Sequence, residues 1–127
     1  MAQNVGMYRE IKEALRQQIK NYLESTGERI EVYPVPYQNI AFFPAIALEL
    51  NSRRKPKVGV GVKQLELDMT VWVYVEILDA EDAENECLRL LELVENAIES
   101  DKTLGGHCHY LSIDDVAEFG TVQQGEA

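Results

Sequence analysis

Lys63-Gln64-Leu65-Glu66-Leu67-Asp68-Met69-Thr70-Val71-Trp72-Val73-Tyr74-Val75-Glu76-Ile77-Leu78 alternates in polarity along its length. Leu65, Leu67, Met69, Val71, Val73, Val75 and Ile77 fall on one side, and Gln64, Glu66, Asp68, Thr70, Trp72, Tyr74, Glu76 and Leu78 on the other. A period of two is the mark of a strand with one face against a core. At about 3.3 Å per residue, these sixteen residues span roughly 53 Å. A compact domain of 127 residues has a radius of gyration of about 14 Å, hence a diameter of roughly 36 Å. The strand outruns its globule, so it has to bend, break or project.

Arg53-Arg54-Lys55-Pro56-Lys57-Val58-Gly59-Val60-Gly61-Val62-Lys63 leads into this strand and holds five of the twelve basic residues with no acid. The whole chain has a formal net charge of −10, so the segment is an electrostatic island. Valines alternate with glycines here, which suits a β-hairpin tip with turn or bulge freedom. A segment ordered only by a partner also fits. A solvated loop and a contact arm that meets a negative surface are the two readings. In either, a basic loop or hairpin over 52–63 projects from the domain, and the hairpin reading extends the arm to about 50–67.

Outward from this region, Tyr8, Ile11, Leu15, Ile19, Tyr22 and Leu23 recur at the spacing of one helical face, and Gly27 ends the element. Ile30–Tyr33 reads as a short strand closed by Pro34 and Pro36, and Pro44–Leu50 as a second strand. Asp79 is placed to cap a helix that starts near Ala80 and runs to about Ser100, with Ala83, Cys87, Leu90, Leu91, Val94, Ala97 and Ile98 inward. Glu81, Asp82 and Glu84 suit its positive N-terminal end. Thr103–Gly106 reads as a turn, His107–Phe119 as a last strand and residues 121–127 as a loose tail. The expected fold is α+β in one domain, 1–127, ordered α-β-β-β-α-β, with two helices on a mainly antiparallel sheet of about four strands. Trp72 and Tyr74, on the polar side of the long strand, either lie beneath a helix or anchor a partner; helix cover is the expectation.

Composition narrows the function classes. No run of 18 apolar residues spans a membrane, and the N-terminus lacks the apolar core of an export signal, so cytoplasmic synthesis is expected. Cys87 and Cys108 read as buried thiols. His107 and His109 could share a strand face, but they are the only histidines and no third ligand is indicated, so no metal or cofactor is expected. Serines stand in no nucleophile motif, and Gly59-Val60-Gly61 precedes a strand where a phosphate loop would open a helix, so no enzyme is expected. Net acidity argues against nucleic acid as a partner. Residues 1–63 carry +4 and residues 64–127 carry −14, an asymmetry that suits head-to-tail packing of copies.

The element order and the turn Asp101-Lys102-Thr103-Leu104-Gly105-Gly106 resemble the phage tail terminator and tail-completion proteins, which include tail-to-head joining and minor tail proteins. The likeness in order covers nearly the whole chain; the likeness in letters is confined to that turn and its flanks. The resemblance implies a non-enzymatic virion protein, a ring usually of six subunits at the head-proximal end of the tail. Its partners would be copies of itself, the major tail tube protein and the head connector. In such a ring Arg53, Arg54, Lys55, Lys57 and Lys63 are expected against an acidic surface, with Glu81, Asp82 and Glu84 as a candidate counterpart. The alternative is a small α+β regulatory or ligand-binding module acting as a dimer, which would need a concave apolar pocket.

Overall fold

The elements run α1 (Met7–Ser25), β1 (Glu31–Tyr33), β2 (Ala45–Arg54), β3 (Lys57–Gly59), β4 (Val62–Lys63), β5 (Glu66–Tyr74) and α2 (Ala80–Glu99). They come from a computed structural model that describes residues 6–36, 43–54, 57–59, 62–63, 66–76, 79–106, 108 and 111–113.

Local sequence sets the end of α1 and the start of α2. At the end of α1, Gly27 takes φ 90°. The Glu28 N–H then donates to Leu23 O at 2.9 Å and the Gly27 N–H to Glu24 O at 3.1 Å, which satisfies two otherwise unpaired carbonyls. At the start of α2 the Asp79 carboxylate accepts from the Glu81 and Asp82 N–H groups at 3.0 and 3.1 Å. The other end of α2 is capped from α1: the Gln18 amide donates toward the carbonyls of Ala97, Ile98 and Asp101 at 2.9, 3.2 and 3.0 Å. Two further side chains tie elements together. Arg16 donates to Val32 O at 2.8 Å, joining α1 to β1. Arg89 bridges Glu86 and Glu28, joining α2 to the loop after α1.

Among the described residues three strands form a mixed sheet in the order β1-β2-β5. β1 pairs with β2 in parallel and β2 with β5 antiparallel. A mainly antiparallel sheet of about four strands was expected; the parallel β1–β2 pair departs from it, and the expected fourth strand falls mostly outside the described residues. β1 is only three residues long, and nothing in so short a strand specifies its direction. The long strand is also corrected: strand structure covers Val62–Lys63 and Glu66–Tyr74, and Val75 and Glu76 lie beyond it. Among the described residues no strand follows α2. Leu111–Ile113 carry no strand, and most of the expected strand over His107–Phe119, like the tail 121–127, lies outside the described residues.

The core lies between the helices and one sheet face. Leu15, Ile19 and Leu23 of α1 and Leu90, Val94 and Ala97 of α2 meet Val32, Ile46 and Leu48, with Met69, Val71 and Val73 packed against them. Register explains this set: Val32 stands beside Ile46, Ile46 opposite Val73 and Leu48 opposite Val71, all on one face. Among the described residues no buried side-chain polar atom lacks a partner, as folded interiors require.

The turn Asp101–Gly106 closes this core from below α2. The Asp101 carboxylate accepts from the Thr103 hydroxyl at 2.7 Å, the Thr103 N–H at 3.0 Å and the Gly105 N–H at 2.8 Å. This ring of bonds holds Leu104 at φ 52°, a left-handed conformation uncommon for leucine, with its side chain buried. The same bonds, that of the Thr103 hydroxyl foremost, hold the Asp101 carboxyl below the ordinary carboxylate range. An aspartate with a lowered folded pKa contributes stability above its unfolded pKa and loses it as pH falls through the folded value. An NMR titration is therefore expected to place the Asp101 midpoint below that of an exposed aspartate. Thr103→Val should move it back up, and an unmoved midpoint would contradict this role for Thr103.

Candidate assembly interface

The candidate interface begins where β2 leaves the core. Ala45, Ile46, Ala47 and Leu48 are fully buried, whereas Leu50 is already 42% exposed and residues 51–54 are exposed. β2 and β5 stay paired through this exposed stretch, down to Arg54 opposite Glu66. Beyond it Lys57 pairs with Lys63 and Gly59 with Val62 in a second antiparallel ladder. Residues 50–54 of β2 alone carry the chain roughly 17 Å at about 3.3 Å per residue.

A bulge at Asn51 sets which side chains this arm presents. The register shifts between Leu50 and Ser52, so Ser52 stands opposite Asp68 and Arg53 opposite Leu67. One extra residue exchanges faces along all that follows. Ser52 and Arg54 therefore join Glu66, Asp68 and Thr70 on the face away from the helices, and Arg53 lies on the other face. The polar contacts agree with this phasing. Ser52 Oγ donates to Asp68 Oδ2 at 3.0 Å, and Thr70 Oγ1 donates to Asn51 Oδ1 at 2.6 Å. Arg54 reaches Glu66 Oε1 at 2.5 Å through Nη2.

The basic island is thus partly neutralised by its partner strand. Glu66 holds the Arg54 guanidinium in its charged form. Arg53 is exposed and makes no ion pair among the described residues. Lys57 and Lys63 share a rung of the tip ladder. Lys55 lies outside the described residues.

The acidic residues lie at the opposite end of the same hairpin. Ala45 pairs with Tyr74 at that end. Phe43 and Pro44 just before β2, Val75 and Glu76 just after β5, and Asp79, Asp82, Ala83 and Glu86 at the start of α2 line an open hollow of about 220 Å³. Of the three predicted acids, Asp82 lines this hollow; Glu81 and Glu84 are exposed on the same first turns of α2. Glu86 is drawn to Arg89 at 2.8 Å, and that hydrogen bond holds its carboxyl below the ordinary range. Asp79 is engaged as the helix cap. Glu76 and Asp82 are exposed and form no ion pair among the described residues. Arg53 and Arg54 are not brought to Glu81, Asp82 and Glu84 within one chain, because the ten-residue β2 separates its two ends by roughly 30 Å at about 3.3 Å per residue.

A further surface lies on the other sheet face. Among the described residues the helices cover the face of Val71 and Val73 and not that of Trp72 and Tyr74, where helix cover was expected. They stack on each other with ring centroids 6.2 Å apart, beside fully buried Ala45 and Ala47 on the opposite face. Trp72 is 39% exposed, and its indole N–H donates to Glu49 Oε1 at 2.8 Å. Desolvation, with a smaller effect of Glu49, pushes the Tyr74 hydroxyl up.

Among the described residues no three His, Cys, Asp or Glu side chains group as metal ligands, and His107 and His109 lie outside those residues. Cys87 and Cys108 are half-buried thiols, and burial pushes the Cys87 thiol up. No helix is long and apolar enough to cross a membrane among the described residues. Compared with protein-family models, with curated proteins and with solved structures, the chain matches none.

Proposed function

We propose that the chain is a non-enzymatic assembly subunit of the phage tail terminator kind. It forms a homo-oligomeric ring of about six copies, caps the tail tube and joins it to the head connector. One observation carries this reading: a basic hairpin and an acidic hollow stand at opposite ends of a single β2–β5 ladder. A surface that is positive at one end and negative at the other favours head-to-tail contacts, which close into rings when the rotation allows. Arg54 is held by Glu66, which leaves Arg53 as the cation of the described part of the arm for such a contact.

The test is native mass spectrometry with electron microscopy, on the chain alone and mixed with major tail tube subunits. Rings are expected from the chain alone, and shorter or blocked tubes from the mixture. A strict monomer that leaves tube growth unchanged would overturn the proposal.

A salt-independent dimer is the second reading, that of a small regulatory or ligand-binding module. The exposed Trp72–Tyr74 stack supports it, as an apolar sheet face that a second copy would cover. Such a dimer would survive high salt, which screens charge pairs and leaves apolar contacts in place.

A further inference from the structure

We propose that the hollow between Pro44, Val75 and the start of α2 is a socket for the basic hairpin of a second copy of this chain. The inference rests on the ring reading above and names the two surfaces that meet. Phe43, Pro44, Val75 and Ala83 give the hollow apolar walls, and Glu76, Asp79, Asp82 and Glu86 give it four carboxylates. Apolar walls beside carboxylates suit a long cationic side chain, whose methylenes pack while its head group pairs. At about 220 Å³ and open to solvent, the hollow suits entry of a side chain from outside better than enclosure of a small ligand.

The occupant follows from position. A chain's own arm points away from its own hollow along β2, which lies between them. Glu76 and Asp82 remain without ion pairs among the described residues, as does Arg53 on the arm. Unpaired charges of opposite sign, set at the two ends of one rigid ladder, are satisfied together when copies stack arm to socket. Such a contact is heterologous, so every added copy offers a new free socket and a new free arm until a ring closes.

The test is a charge swap read by sedimentation velocity at low salt, with thermal melts to verify folding. Arg53→Glu/Lys55→Glu reverses the arm while leaving the Arg54–Glu66 pair intact. Glu76→Lys/Asp82→Lys reverses the socket while leaving the Asp79 cap and the Glu86–Arg89 pair intact. Each pair of changes is expected to weaken self-association about tenfold or more, because like charges then face each other. The four changes in one chain should restore most of it. If arm reversal abolishes assembly while socket reversal leaves it unchanged, the hollow is not the socket but the ring reading stands. Failure of the four-change variant to recover would also overturn the pairing, as would binding of tube subunits in the hollow in place of a second copy. A wild-type chain that never self-associates would overturn both proposals.

Discussion

Leu48→Ala should lower the free energy of unfolding by about 3 kcal/mol, whereas Leu50→Ala, two residues further along the same face, should cost less than about 1 kcal/mol. Leu48 is fully buried between Val71 and the helices; Leu50 is 42% exposed. The first substitution empties part of a packed core whose neighbours close in only partly, so a cavity adds to the lost transfer free energy. The second removes contacts from a side chain already largely in water. For a domain whose stability is about 5–15 kcal/mol, the loss at Leu48 is a large fraction. Urea melts would measure both, with unchanged slopes indicating a common unfolded state. Equal costs at the two positions would mean that the root of the arm is packed, and that the arm does not begin there.

Reversing the arm by Arg53→Glu/Lys55→Glu should leave that core untouched and weaken self-association about tenfold or more. The effect on folding should be small, because Arg53 is exposed and makes no ion pair among the described residues. Arg54 is the wrong residue to reverse. A glutamate there would face Glu66 directly across the ladder, and like charges in that position destabilise the strand pair itself. Loss of assembly could then reflect a frayed arm as readily as a lost contact.

How far the sequence foretold these features depends on the range of the interaction. Both helices were legible because their apolar spacing, the Asp79 cap and the Gly27 stop are local. β5 was legible because its alternation is long. The parallel pairing of β1 was not, since Glu31–Tyr33 is too short to specify a direction. Periodicity separated Trp72 and Tyr74 from Val71 and Val73, but it does not state which face the helices choose. The charge of the arm was plain from composition. Its partial neutralisation was hidden, because Arg54 meets Glu66 only through a register shifted by the bulge at Asn51. The socket was least legible of all, being assembled from three separate stretches around Pro44, Val75 and Ala83. The turn Asp101–Gly106 has a physical reason of its own: it holds Leu104 in the core.

The most direct test of the head-to-tail contact is the mass of the wild-type chain by sedimentation velocity, from about 50 mM to 500 mM salt. Across this range the screening length falls from roughly 14 Å to roughly 4 Å. A ring-sized species is expected at low salt that dissociates as salt rises, and Arg53→Glu/Lys55→Glu should weaken its association about tenfold or more. A monomer throughout, or a dimer indifferent both to salt and to the arm, would contradict that contact.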